Sequence, residues 1–134
     1  MAWQDNILHE KLKKLERKGV KIFKFGLCST GIGKEAALAM KNNADIVWSC
    51  ASKYVKEYIA PNAIAQVGIK IPVYIMTEEG LRLVLNHLQK LDKTLSETDL
   101  SKFNCPVFFN RQGRIEVIDK SMLHSCSDCP HPCI

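Results

Sequence analysis

The residues able to do chemistry in this chain of 134 residues gather in two places, a loop after the first apolar run and the C-terminal tail. The loop reads Cys28-Ser29-Thr30-Gly31-Ile32-Gly33-Lys34. It follows residues 20–27 (VKIFKFGL), a β-branched and aromatic run, and precedes the helix-forming run Glu35-Ala36-Ala37-Leu38-Ala39-Met40. Two glycines permit a tight turn whose backbone N–H groups converge as an anion nest, and a helix start plus Lys34 adds positive charge. The same surroundings favour thiolate over thiol, so Cys28 is the candidate nucleophile. Ser29, Thr30, Gly31, Gly33 and Lys34 are the candidate anion-binding residues. Cys50 closes the next apolar run and is the second candidate thiol, because ligands of open α/β sheets sit beyond the carboxyl ends of strands.

The tail is denser still. His124, Cys126, Cys129, His131 and Cys133 occupy five of the last eleven positions. A C-x2-C pair brings two thiolates to one tetrahedral metal, and Cys133 supplies a third through a short loop. Cys105, His124 or His131 is the candidate fourth ligand. The set suits zinc, while Cys126-x2-Cys129-x3-Cys133 also matches the last three cysteines of the ferredoxin run, so zinc and an iron–sulfur centre both stand open. Six cysteines would also suit disulfides, but no basic start and apolar stretch of a secretory signal opens the chain. A reducing, cytoplasmic setting is therefore expected.

The pattern Cys28-x5-Lys34 after a hydrophobic strand resembles the phosphate loop of low-molecular-weight tyrosine phosphatases and related arsenate reductases. It also resembles the phosphocysteine loop of the lactose/cellobiose-type enzyme IIB of the sugar phosphotransferase system. Residues 44–48 and 71–75 are similar to the third and fourth strands of that family. The resemblance spans residues 20–92 and implies that Cys28 accepts a phosphoryl group. Lys34 stands where the phosphatases carry Arg.

Positioning these residues requires alternating elements. Ile7, Leu8, Leu12 and Leu15 recur at helical spacing over residues 5–18, with Asp5 as N-cap and Gly19 past the end. Residues 46–48 form a short strand, Ser52 caps a helical stretch through Val55 and Ile59, and Pro61 breaks it. Residues 69–76 read as a third strand. Thr77 then caps a helix striped by Leu81, Val84, Leu85, Leu88 and Leu91. Pro106–Phe109 and 114–118 flank Asn110-Arg111-Gln112-Gly113 as a hairpin. The expected fold is α/β, a three-layer helix/sheet/helix with a mainly parallel sheet, a C-terminal antiparallel hairpin and a Cys/His-rich tail. Residues 1–119 form one domain and 120–134 the tail.

Composition sets outer bounds. A chain that is 46% hydrophobic and 25% charged is globular, and no apolar run reaches the roughly 18 residues of a membrane span. Its net charge of +5 suits a small anionic ligand without the clustered basic face of a nucleic-acid binder. The run Lys11, Lys13, Lys14, Arg17 and Lys18 reads as the solvated face of a helix. His9 and His87 read as groove or surface residues. Three classes follow: a thiol/metal protein acting on a small anionic or thiol ligand or a partner protein; a phosphocysteine carrier or small phosphatase; and a non-catalytic assembly module, with an exposed edge strand inviting a homodimer.

Overall fold

The computed structural model describes residues 6–123. Helix α1 (Asn6–Arg17) ends where expected. Gly19 takes a φ of +85°, and the N–H groups of Gly19 and Val20 turn back to the carbonyls of Glu16 and Leu15. The Asp5 cap lies outside the described residues. The apolar stripe of α1 is only partly covered, since Ile7 and Leu15 are exposed while His9 is buried.

Strand β1 is far shorter than the apolar run that predicts it, only Phe25–Gly26. It sits at the sheet edge, where the missing Cβ of Gly26 lets Met40 and Val47 close in: an added one would lie 3.2 Å from Met40 Sδ. Helix α2 (Lys34–Asn43) and strand β2 (Ile46–Trp48) follow. The Ser52 cap forms, its Oγ accepting from the Val55 N–H at 3.3 Å. The stretch it starts is a π-helical turn (Val55–Ile59), tightened by Pro61 into a 3-10 turn (Ala60–Asn62). Thr77 Oγ accepts from the Gly80 N–H at 3.1 Å and opens α3 (Glu78–Leu91). Strands β5 (Pro106–Arg111) and β6 (Arg114–Asp119) make the expected edge hairpin, and Gln112 and Gly113 both have positive φ at its turn.

The sheet is the main departure. Its order is β1-β2-β4-β3-β5-β6, and it is mixed rather than mainly parallel. Only β1/β2 and β3/β5 pair parallel; β2/β4, β3/β4 and β5/β6 are antiparallel. The cause is an unforeseen strand, β3 (Ala65–Val67), hairpinned through Gly68 to β4 (Val73–Ile75). Residues 69–72 form that turn and not the start of a strand, so β4 runs back against β2. Side-chain alternation then gives two cores on opposite faces. Met40, Val47, Val55, Ile59 and Tyr74 gather under α2 and the π-helical turn; Ala65, Ile75, Leu88, Leu95 and Phe108 gather under α3. No helix among the described residues is long and apolar enough to cross a membrane.

Candidate functional site

Strands β1, β2, β3 and β5 run one way and β4 and β6 the other. The sheet therefore has a carboxyl-end rim, where β1 and β2 stop, and an amino-end rim, where β5 starts and β6 stops. Cys28 and Cys50 stand on the first. Cys105 and the root of the tail stand on the second.

At the carboxyl-end rim both cysteines adopt left-handed backbone, Cys28 at φ +49° and Cys50 at φ +37°. Such φ values cost energy for any residue with a Cβ, so the surrounding structure must hold them. Three serines do so from beneath. Ser29, Ser49 and Ser52 are fully buried. Ser29 Oγ reaches the carbonyls of Trp48 (2.6 Å) and Ser49 (2.8 Å), sharing its proton between them and pinning the first loop to the end of β2. The Ser49 N–H donates to the Pro72 carbonyl at 3.0 Å, tying β2 to the β3–β4 turn. The result presents Cys28 exposed and Cys50 half-buried.

The anion loop is laid out as the glycines suggest, with one exception. Gly31 has φ +73°, and a Cβ placed on Gly31 or Gly33 meets nothing within 4 Å, so the loop faces open space. Gly33 precedes α2 and gives its first turn no side-chain cap, and Thr30 and Lys34 are exposed. The exception is Ser29, whose hydroxyl is turned into the protein as a tether, so it offers an anion no side chain. Lys34 leans over the Tyr58 ring, 5.4 Å from its centroid.

At the amino-end rim Cys105 is half-buried, and its Sγ lies 3.4 Å from the Ala63 carbonyl. Burial pushes its thiol up from the ordinary value, against the pull of the nearby Lys120 ammonium. Lys120 is itself lowered by burial. It donates to the Ala60 carbonyl and lies 5.2 Å from the Tyr74 ring centroid. Asp119 Oδ1 accepts from the N–H groups of Asn104 and Cys105, and the Lys120 N–H donates to the Cys105 carbonyl at 2.9 Å. Cys105 is thereby fastened to the segment that leads into the tail, with Lys120–Met122 forming a last 3-10 turn. His124, Cys126, Cys129, His131 and Cys133 lie outside the described residues. Among the described residues no group of three or more His, Cys, Asp or Glu is placed to hold a metal.

The same rim holds Asp45. It is buried and structural: Oδ2 accepts from the Lys24 N–H at 2.8 Å and Oδ1 from Thr77 Oγ at 2.7 Å. A cleft of about 260 Å³ opens beside it between α1 and the end of α2, lined by His9, Glu16, Lys24 and Lys41 among others. His87 is exposed on α3. Sequence reasoning passed over Tyr54 and Tyr58, whose rings stack 6.3 Å apart on the π-helical turn. Their spacing of four residues, just after a strand-end cysteine, was the available signal.

A family described as "Uncharacterized protein conserved in archaea (DUF2099)" matches residues 4–89, a span that contains both carboxyl-end cysteines and the loop to Lys34. An uncharacterized protein of Methanocaldococcus jannaschii is 33% identical over 105 residues, covering 78% of this chain and 35% of the relative. The chain thus spans about a third of the length of the relative it matches. No solved structure matches. With nearly two-thirds of its residues matched, the chain belongs to this archaeal family.

Proposed function

We propose that the chain is a small cytoplasmic thiol and metal protein, with Cys28 as the reactive thiol on an anion-binding loop. Cys50 is its neighbouring thiol, and a metal or iron–sulfur centre is held by the tail. The observation that carries the reading is the pair of left-handed, serine-braced cysteines at adjacent strand ends. Backbone strain kept at two thiols on one rim is the signature of groups positioned for chemistry. Open space over Gly31 and Gly33 and the uncapped start of α2 supply the means to hold an anion beside Cys28. A redox, sulfur-transfer or metal-handling role fits such a site, in a helix/sheet/helix sandwich whose β1 edge is open for a homodimer. The test is alkylation of Cys28 with iodoacetamide, with and without inorganic phosphate. Slowing by phosphate at Cys28 alone is expected, and no slowing would defeat the loop.

For the tail, Cys105 is the fourth ligand proposed with Cys126, Cys129 and Cys133, beside the alternatives His124 and His131. Cys105 is paired with Lys120, and Cys126 follows three residues after Leu123, within roughly 10 Å of extended chain. Zinc would close this set structurally, whereas an iron–sulfur centre would add electron transfer. Anaerobic purification followed by metal and sulfide analysis tests it. Metal at about one site per chain, lost in Cys105→Ser, is expected; metal-free protein would refute it.

A phosphocysteine carrier is the second reading, favoured by the placement of Lys34 at the start of α2 behind Cys28. It requires a labile phosphoryl adduct at Cys28 after incubation with phosphoryl donors, detectable by mass spectrometry, and no adduct would refute it.

A further inference from the structure

We infer that the site beside Cys28 takes a phosphate ester carrying a planar aromatic ring, with Tyr54 and Tyr58 as the stacking platform and Lys34 and Lys53 as the cations for its phosphate. This rests on the reading of the Cys28 loop as an anion site and adds the other half of the ligand. Lys34 and Lys53 come from the segments that follow the two cysteines, six residues after Cys28 and three after Cys50. Neither has a carboxylate partner among the described residues; instead each lies over a tyrosine, Lys34 5.4 Å from the Tyr58 centroid and Lys53 4.9 Å from that of Tyr54. The two rings are nearly parallel, with 17° between their planes. The four side chains thus form one continuous patch, two stacked rings with a cation on either side. Tyr54 and Tyr58 are half-buried and both lysines exposed, so the rings are anchored and the cations free to swing.

An exposed ammonium on a ring is a weak contact, worth little more than thermal energy. A phosphate ester with an aromatic base replaces both partners at once: the phosphate takes the lysines, and the base takes the ring faces they leave. Phosphate alone gains only the first exchange and an uncharged base only the second. A bare anion therefore fills half of the patch. The rings flank the start of a π-helical turn, Tyr54 as its N-cap and Tyr58 within it, and such turns recur at functional sites.

The test titrates the whole chain with four probes: AMP, ribose 5-phosphate, adenosine and inorganic phosphate, followed by amide chemical shifts. AMP is expected to bind about tenfold or more tighter than ribose 5-phosphate, as base stacking on an aromatic implies. Tyr58→Leu and, separately, Tyr54→Leu should bring AMP down to the level of ribose 5-phosphate without changing phosphate affinity. Lys34→Met should weaken both phosphates. Equal affinities for AMP and ribose 5-phosphate in the native chain overturn the platform whatever the variants do. Phosphate protection of Cys28 in that case leaves the anion loop standing. A tenfold gain for AMP with no effect on Cys28 alkylation has the opposite meaning: the platform holds and the thiol-site reading fails. No binding by any probe overturns the platform.

Discussion

The two ends of the sheet are built on opposite plans. At the amino-end rim three carboxylates gather donors: Asp45 holds Lys24 and Thr77, Glu16 meets the Lys24 ammonium at 2.6 Å, and Asp119 gathers Asn104, Cys105 and Ser121. At the carboxyl-end rim buried serines lie underneath, and the upper surface carries exposed Cys28, an uncapped helix start and lysines with no acid partner among the described residues. Saturated polar networks hold a fold together, whereas strained and unsaturated ones hold it ready for a ligand. On the function proposed above, the difference separates a structural end from a chemical end.

The largest effect expected from breaking that contrast is at Asp45. Asp45→Ala leaves the Lys24 N–H and Thr77 hydroxyl without their acceptor and should cost about 2–4 kcal/mol in urea unfolding, with Cys28 alkylation in the native protein little changed. Gly80→Ala sharpens the same point, because its Cβ would fall 2.8 Å from the Asp45 carbonyl oxygen. A loss of about 1–3 kcal/mol is expected from this overpacking against backbone.

At the other rim the sign reverses. Cys28→Gly and Cys50→Gly relieve left-handed strain and should each raise stability by about 1 kcal/mol, measured by the same unfolding curves. Destabilisation by either would mean that the side chain, and not the strain, matters to the fold.

A smaller effect is read by pH. Asp92 at the end of α3 is held below the usual aspartate range chiefly by the Thr94 hydroxyl, then by the Ile115 and Thr94 N–H groups. A lowered carboxyl contributes stability above its ordinary pKa and loses it as pH falls through the depressed value. Melting temperature should therefore fall on acidification below about pH 4, and less steeply in Asp92→Asn.

Much of this was legible before the coordinates. The α2 and α3 helices, the Ser52 and Thr77 caps, Gly19 and the final hairpin all rest on local signals: a capping hydroxyl, a glycine past a helix end, a Gly-containing turn between alternating strands. The mixed sheet was not legible, because β3 is three residues of which one, Gln66, is polar yet buried. A strand so short has no period to detect, and its presence alone reverses β4. Residues 20–27 had the composition of a strand but pair over only two residues, at the edge of the sheet where β2 is the one strand bonded to β1 among the described residues. Of the site, Cys28, Cys50 and the glycine loop were visible from their position after apolar runs. That Ser29 turns inward was not, because its partners are backbone carbonyls some twenty residues away. The separation of Cys105 from Cys28 and Cys50 likewise depends on strand direction.

The most direct measurement is residue-resolved alkylation of Cys28, Cys50 and Cys105 in one native sample, read by mass spectrometry and repeated in urea. The expected result is Cys28 reacting at least about tenfold faster than Cys105, whose thiol is raised by burial, with the two rates converging on unfolding. Equal rates in the native protein, or Cys105 ahead of Cys28, would contradict the division of the molecule into a chemical end and a structural one.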